Sequence, residues 1–341
     1  MRKVDRVKAA LLSQPLDRPP VSTWMHYPSV DQDPLKLAQA HVNFQEKFDL
    51  DFIKLTPFDL YCVEDWGCQI KFFGTETQTP IISQYAIQNS ADWLNLKVLP
   101  PNFGTWGKQL LLSSYVKKIA NPEVPFVQTV YSPLTVARKL AGERVIQDLR
   151  EYPKILHYAL EIITETTIQF VKANLAAGAS GIFFATGCAN HDFMNVAEYQ
   201  EFGRRYDLQV LKAANDGWFN TLHIHGRNIM FDEFLDYPVH ALNWHDCHEY
   251  PPVRRARAMT DLCIIGGLDE EGPISKGKPI EVIDEVAAFL DETNLRGVMV
   301  GPGCVTIPNP PDHNITTVRL VVDRYAEDAN WKYLSLDSSF L

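Results

Sequence analysis

Clusters of positive charge are missing from this sequence of 341 residues. It contains 32 Lys and Arg against 42 Asp and Glu, which gives a formal net charge of -10. Nucleic acids and anionic membranes are bound through clustered cationic side chains, and no stretch of the chain is rich in them. The composition therefore argues against nucleic acid or membrane as a main partner, and a small-molecule substrate is expected.

Long hydrophobic runs and closely spaced cysteines are missing as well. No window of about 18 apolar residues exists, so no transmembrane helix is predicted. Residues 1–12 lack the apolar core and cleavage site of a secretory signal, and they predict a short amphipathic helix. Six cysteines spread over the chain do not form the pattern of a disulfide framework. We therefore expect a cytoplasmic protein with reduced thiols.

The chain does contain short apolar runs that alternate with helical patterns. Hydrophobic residues make up 46% and charged residues 22%, which is typical of a globular protein with a large core. Strands are predicted at 21–27, 51–58, 125–131, 180–186, 219–226, 241–246, 262–269 and 297–303. Helices are predicted at 34–48, 104–120, 153–177, 198–215, 252–259, 279–292 and 315–326.

Alternating strands and helices predict an α/β fold with a parallel sheet. Eight apolar strands favour a closed (β/α)8 TIM barrel over the competing doubly wound open sheet. We predict a single domain over 1–341. Residues 64–99 have hairpin character and predict a small excursion after the second strand, placed over one mouth of the barrel.

In such barrels the active site lies at the carboxyl ends of the strands. That rule brings one set of side chains to one rim, namely Asp59, Tyr131, Thr186, His223, His225, Asp246, Asp269 and Cys304. We predict that Asp59, His245 and Asp246 are catalytic. Asp59 could instead brace its loop, and Asp269 could order its turn.

Two histidines and one cysteine of this rim suggest a metal site. His223 and His225 are two residues apart on a strand, so both side chains point to the same face. Cys304 follows another strand. Two nitrogens and one sulfur suit zinc with a fourth position left open. The alternative is that the histidines are hydrogen-bonded rim residues and that Cys304 is a small buried hydrophobe.

A second cluster of His245, Cys247 and His248 is less favoured as a metal site. Only His245 ends a strand, whereas Cys247 and His248 lie in the loop that follows. His245 or Asp246 would rather contact the substrate or the outer nitrogen of a metal-bound imidazole.

The sequence resembles the uroporphyrinogen decarboxylase superfamily over almost all of its length. Five motifs carry the resemblance in order, namely 5–7 (Asp-Arg-Val), 17–21 (Asp-Arg-Pro-Pro-Val), 132–135 (Ser-Pro-Leu-Thr), 266–269 (Gly-Gly-Leu-Asp) and 301–304 (Gly-Pro-Gly-Cys). The resemblance implies a (β/α)8 barrel, as the pattern does. A homodimer is a family-level expectation.

One chemistry of the superfamily is cofactor-free decarboxylation of porphyrinogens. The resemblance places the family's aspartate at Asp59, its tyrosine at Lys139 and its late histidine at Cys304. The arginine pair that holds substrate carboxylates is missing from 24–29, where His26 is the nearest equivalent. Without those bidentate contacts, decarboxylation of an octacarboxylate is not expected.

The other chemistry is that of corrinoid-dependent methyltransferases, which bind zinc through a His-x-Cys pair and a distant cysteine. Cys304 matches the distant cysteine, and His223 and His225 match the pair with His in place of Cys. The resemblance thus implies zinc held by these three residues, and methyl transfer between a corrinoid carrier protein and a thiol or similar acceptor. Substrate contacts are assigned to His26, Tyr131, Lys139, Thr186 and Asp269.

Two alternatives remain open. One is a metal-free decarboxylase of a porphyrinogen or a smaller carboxylated substrate, with Asp59 and His26 taking part. The other is a non-catalytic protein that binds a corrinoid or tetrapyrrole. The fold alone does not distinguish among them.

Overall fold

A parallel sheet of seven strands forms the centre of the fold in the computed structural model, which describes residues 1–328. Residues 329–341 of the predicted domain lie outside the described part. The strands are β1 Ile53–Leu55, β2 Gln69–Lys71, β3 Ile81–Gln84, β4 Phe126–Tyr131, β5 Gly181–Thr186, β6 Thr221–Ile224, β7 Ala241–Trp244, β8 Cys263–Leu268 and β9 Val298–Pro302.

Helices connect the strands and cover the outside of the sheet. They are α1 Lys3–Leu11, α2 Pro34–Lys47, α3 Tyr61–Glu64, α4 Gly104–Ile119, α5 Pro133–Ala141, α6 Arg144–Glu151, α7 Pro153–Ala176, α8 Val196–Tyr199, α9 Arg205–Ala213, α10 Val253–Met259, α11 Pro273–Lys276, α12 Pro279–Thr293 and α13 Asp312–Glu327. Within residues 1–328 none of these helices combines the length and apolar character needed to cross a bilayer.

The order of the strands distinguishes the two predicted architectures. The sheet runs β1-β4-β5-β6-β7-β8-β9, and each neighbouring pair is parallel. A doubly wound sheet would reverse its order at a switch point, and this sheet does not. The fold is therefore an α/β fold with a curled parallel sheet, of the TIM-barrel type.

The prediction of a closed eight-stranded barrel is wrong in one respect. Residues 21–27 do not form a regular strand, but make isolated bridges from Val21 to Val300 and from Met25 to Thr306. On the other side, the Val21 carbonyl accepts from the backbone N–H of Asp51 at 2.8 Å. The segment thus lies between β9 and β1 without a continuous ladder. Pro19 and Pro20 precede it and have no N–H to donate.

Helix α5 is an element that the sequence patterns above did not predict. It begins at Pro133 after Ser132, whose side chain accepts from the backbone N–H of Thr135. A capping serine followed by proline is a standard helix start, so the signal was present in the motif 132–135. This helix carries Lys139.

The predicted excursion contains a two-stranded antiparallel hairpin of β2 and β3. Phe72, which directly follows β2 in the loop between the two strands, packs edge-to-face against Phe58 at a ring separation of 5.6 Å. None of residues 64–99 lines the cavity described below, so the hairpin is not part of the wall of that cavity.

A buried aspartate fixes the irregular segment in place. Asp51 has no exposed surface. Its carboxylate accepts from Arg6 Nη1 at 2.7 Å, from Arg18 Nη1 at 2.6 Å and from the backbone N–H of Val21 at 2.8 Å. The Asp-Arg motifs at 5–7 and 17–21 therefore act together, because both arginines neutralise one carboxylate that holds the chain beside β1.

We expect Asp51→Ala to lower the free energy of unfolding by about 3–5 kcal/mol, because it leaves two buried guanidinium groups without their shared anion. Urea denaturation followed by circular dichroism measures this. Asp236→Ala is the control, since Asp236 pairs with Arg204 but its side chain is 72% exposed. That change should cost less than about 1 kcal/mol, and equal losses in both variants would contradict the role given to Asp51.

Candidate metal centre

Four side chains that could hold a metal ion meet at the carboxyl ends of three strands. His223 lies in β6 and His225 directly follows it, His245 follows β7, and Cys304 follows β9. Their ligand atoms all lie within 4.8 Å of one another. Parallel strands end at the same edge of a sheet, which is why residues far apart in sequence converge here.

Three of the distances between these atoms are close to those between the ligand atoms of a tetrahedral zinc ion. Zn–N bonds of about 2.0–2.1 Å and Zn–S bonds of about 2.3 Å place nitrogen and sulfur ligands about 3.6 Å apart and two nitrogens about 3.3 Å apart. Cys304 Sγ lies 3.7 Å from His223 Nε2 and 3.6 Å from His225 Nδ1. His245 Nε2 lies 3.2 Å from His225 Nδ1. The donor set and its spacing could therefore hold a divalent metal ion.

Two buried groups orient the imidazoles. Asn243 Nδ2 donates to the carbonyls of Ile265 and Pro302 at 2.8 and 3.1 Å, which turns its Oδ1 toward His223. His223 Nδ1 then donates to Oδ1 at 2.7 Å, so its Nε2 lone pair faces the cluster. Glu270 accepts from His245 Nδ1 in the same way. Such outer contacts fix the ring tautomer of metal-binding histidines.

The thiol and the imidazoles shift one another's proton affinity. Burial alone would raise the pKa of Cys304, but hydrogen bonds from His223, His225 and His245 lower it well below its usual value. Burial likewise opposes protonation of His245, yet Cys304 and Glu270 raise its pKa to about 10. The cluster thus favours a thiolate beside an imidazolium, and a metal ion would displace the proton between them.

The turn that presents Cys304 depends on Gly303. A Cβ at this position would lie 2.8 Å from the Trp244 carbonyl oxygen and 2.9 Å from both Glu270 Oε2 and His245 Cα. These contacts are too close for any side chain. The glycine therefore lets the end of β9 pack directly against the residues that carry and support His245.

A cavity of about 230 Å³ opens beside the cluster. Of the predicted site residues, those that line it are His26, Asp59, Tyr131, Lys139, Thr186, His223, His225 and Cys304. Trp24, Lys54 and Phe183 form part of the same wall.

An ion pair crosses one side of this cavity. Lys139 Nζ donates to Asp59 Oδ2 at 2.9 Å and lies 4.7 Å from the centre of the Tyr131 ring. Burial opposes the charge on both partners, but their attraction lowers the pKa of Asp59 and raises that of Lys139. Thr186 Oγ1 is buried without a hydrogen-bond partner among residues 1–328. Burial also lowers the pKa of His26, whose ring stays neutral near neutral pH.

Two predicted residues lie away from the cavity. Asp246 Oδ2 accepts from the backbone N–H of Gly267 at 2.8 Å, and burial raises the pKa of this carboxyl to about 7. Asp269 accepts from His248 Nε2 at 2.9 Å and from the backbone N–H of Glu271 at 3.0 Å. Asp246 thus braces β8, and Asp269 orders the turn after it.

The sequence patterns missed several residues of the centre. His245 was assigned to substrate contact or to an outer shell, whereas its Nε2 faces the same point as the other ligand atoms. Asn243 lies two residues before His245, so both side chains point to the same face, and it pairs with His223 in the sheet register. The two-residue spacing could have predicted that Asn243 lies near the site. Glu270 and Lys54 lie in none of the sequence motifs described above, so the sequence did not identify them.

Comparison with known proteins agrees with this architecture. The sequence matches the family described as Uroporphyrinogen decarboxylase (URO-D) over residues 2–325. The chain is 23% identical to the Methylcobamide:CoM methyltransferase MtbA of Methanosarcina acetivorans, in an alignment that covers 91% of this chain and 94% of that protein. It is 24% identical to MtaA of Methanosarcina barkeri, of the same description, with 94% and 97% covered.

A decarboxylase and a solved structure are also similar. The Uroporphyrinogen decarboxylase of Tolumonas auensis is 25% identical over 62% of this chain and 64% of its own length. A methyltransferase from Methanosarcina mazei superposes with a TM-score of 0.82 at 20% identity, covering 95% of this chain and 99% of that one. The family match spans nearly the whole sequence, and the chain therefore belongs to the uroporphyrinogen decarboxylase (URO-D) family.

Proposed function

We propose that this protein is a zinc-dependent methyltransferase that moves a methyl group between a corrinoid carrier and a thiol or similar acceptor. The observation that carries the proposal is the set of four ligand atoms within 4.8 Å of one another beside the cavity. The relatives named as methyltransferases support the same class of reaction. A decarboxylase is also among the relatives, so the experiments below are designed to distinguish the two reactions.

His223, His225 and Cys304 would hold the metal, and the acceptor thiol would take the fourth position, beside His245 Nε2. Zinc at this point would lower the pKa of an acceptor thiol and so make its sulfur the nucleophile. Glu270 keeps the His245 ring oriented through Nδ1, and Asn243 does the same for His223.

The rest of the cavity would position the acceptor. Polar contacts are offered by the neutral His26 ring, by the Tyr131 phenol and by the Thr186 hydroxyl, which has no hydrogen-bond partner within residues 1–328. The Asp59–Lys139 ion pair is a candidate for orienting the acceptor or for proton transfer. If methyl transfer occurs here, the acceptor sulfur would form the new S–C bond, the thiol proton would be released, and the carrier would keep the electron pair of the bond that it loses.

The size of the cavity supports a carrier that approaches from outside. At about 230 Å³ it is smaller than the pockets of about 300–1,000 Å³ that enclose drug-sized ligands. A corrinoid macrocycle would not fit inside, whereas a small thiol would. The corrinoid would therefore present its methyl group at the mouth, held by a partner protein.

Removal of either predicted ligand should abolish metal binding and activity together. We expect about one zinc per chain in the wild type by mass spectrometry, and its loss in His225→Ala and Cys304→Ser, because either change removes one ligand atom of the set. Loss of absorbance by methylcobalamin in the presence of a thiol measures turnover. Cys247→Ser is the matched control, since Cys247 is an exposed thiol outside the cluster. Full turnover by His225→Ala would refute the proposal.

Asn243→Ala should weaken zinc binding about 10–100-fold, because the His223 ring loses the acceptor that fixes its tautomer. Competition with a chromogenic chelator measures the affinity. Asn174→Ala is the control, since Asn174 is a buried amide that hydrogen-bonds to Ser113 and Phe170 in another part of the fold. Unchanged zinc affinity in Asn243→Ala would show that the amide does not orient a ligand.

A decarboxylase is the second candidate, because Asp59 and His26 line the same cavity and a decarboxylase is among the relatives. The two functions respond differently to metal removal. We expect dialysis against a chelator to abolish methyl transfer and zinc to restore it. Release of carbon dioxide from a porphyrinogen, unaffected by the chelator, would favour the decarboxylase. Tight corrinoid or tetrapyrrole binding without either reaction would favour a non-catalytic binding protein.

The single domain over 1–341, the cytoplasmic location and the homodimer stay predictions. Light scattering of the purified protein would test the last of these.

A further inference from the structure

A second cavity, of about 480 Å³, also reaches the ligand cluster. We call it the acidic groove, and the residues that line it are His225, Gly226, Arg227, His245, His248, Glu249, Glu270 and Glu271. His225 lines both this groove and the first cavity, of about 230 Å³, whereas His245 lines the groove and not the first cavity. The candidate metal centre is therefore reached from two openings.

The carboxylates of the acidic groove range from exposed to buried. Glu271 is exposed and Glu249 is half-buried, whereas Glu270 is only 4% exposed. Glu270 is also the residue that accepts from His245 Nδ1, so it lies at the end of the groove next to the cluster. Acidic side chains thus extend from solvent to the residue that supports the cluster.

One carboxylate oxygen at this inner end lacks a partner. Glu270 Oε2 is buried and has no hydrogen-bond donor within residues 1–328. It lies against the turn that presents Cys304, because a Cβ on Gly303 would be 2.9 Å from it. A buried polar atom without a partner costs free energy unless a ligand completes it. A carboxylate oxygen only accepts, so the missing partner is a hydrogen-bond donor or a cation.

The two openings differ in charge. The wall of the groove carries three carboxylates against the guanidinium of Arg227, and His248 already has a carboxylate partner. In the first cavity the carboxylate of Asp59 is paired with Lys139, and Lys54 has no anionic partner within residues 1–328. A cleft lined by one sign of charge raises the local concentration of counter-ions. A hydrated divalent cation is therefore attracted to the groove and repelled from the first cavity.

We propose that the acidic groove is the path by which the divalent metal ion enters the centre, so that the first cavity is left to the substrate. Glu271 and Glu249 would attract the hydrated cation. Glu270 Oε2 would then replace part of its water before the imidazoles and the thiolate bind it, since carboxylate oxygens are also zinc ligands. This inference rests on the metal centre of the proposed function, but not on methyl transfer.

The rate of metal uptake by the metal-free protein tests the path. Cobalt(II) is the probe, because its thiolate complex is coloured and stopped-flow absorbance follows its arrival at the cluster. We expect the double variant Glu249→Gln/Glu271→Gln to take up cobalt about tenfold more slowly at low ionic strength, and the difference to disappear in about 1 M salt, because the field of exposed charges is screened. Arg227→Gln should take up cobalt faster, since it removes a positive charge from the groove.

The matched control is Glu46→Gln/Glu123→Gln, which removes the same charge. Both glutamates are exposed, and they precede the amino ends of β1 and β4, at the opposite edge of the sheet. Uptake by this variant should equal that of the wild type. Unchanged uptake in the groove variants, or an equal fall in the control, would overturn the inference.

Equilibrium affinity separates entry from binding. Competition with a chelator should give Glu249→Gln/Glu271→Gln a cobalt affinity within about fivefold of the wild type, the size of a screened surface interaction, so that cobalt release slows as well. A loss of affinity as large as the loss of rate would show that these carboxylates hold the ion rather than guide it, against the inference. If the wild type binds no cobalt at equilibrium, the metal centre and the proposed function fail together with the path.

Discussion

Charge taken out of water must be compensated, and the cavity at the carboxyl edge of the sheet is organised by that constraint. The Cys304 thiolate is faced by three imidazoles, His245 is supported by the buried Glu270, and Asp59 is paired with Lys139. Each of these groups finds its partner inside the protein. Lys54, also in the cavity wall, has no such partner among residues 1–328 and lies over the Phe183 and Trp24 rings instead.

The parallel sheet makes this concentration of charge achievable. β6, β7 and β9 end at one edge and each delivers ligand atoms there, while β8 between β7 and β9 is followed by the supporting Glu270. Close packing at that edge needs a residue without a side chain at Gly303, where the turn from β9 meets the end of β7. At one open side of the sheet, Asp51 and its two arginines hold the segment that carries Trp24 and His26 into the cavity. The position of the site thus depends both on the hydrogen bonds between the parallel strands and on the irregular segment 21–27.

Much of this arrangement could be predicted from the sequence, since it follows from local periodicity. Apolar runs gave the strands and their parallel order, and the two-residue spacing of His223 and His225 placed both on one face. The rest depends on neighbours across strands. His245 joins the cluster because β7 lies beside β6, and Asn243 supports His223 because the register pairs them. The prediction of a regular first strand over residues 21–27 was wrong, because the Val21 backbone bonds to Asp51 and only isolated bridges join the segment to its neighbours. Lys54 lies within a predicted strand and in no motif, so its place in the cavity wall is visible only in the packed structure.

The composition of the ligand set bears on which acceptor the proposed enzyme would use. The resemblance implies a pair of His and Cys where this chain has His223 and His225, so one thiolate is replaced by an imidazole. Each such exchange removes a negative charge from a bound zinc ion and makes it a stronger electron acceptor. A thiol on that metal would lose its proton more readily, but the resulting sulfur would be less electron-rich. The replacement of Cys by His at position 225 would thus make a bound thiol more acidic and its sulfur less electron-rich, and these two effects oppose each other in methyl transfer.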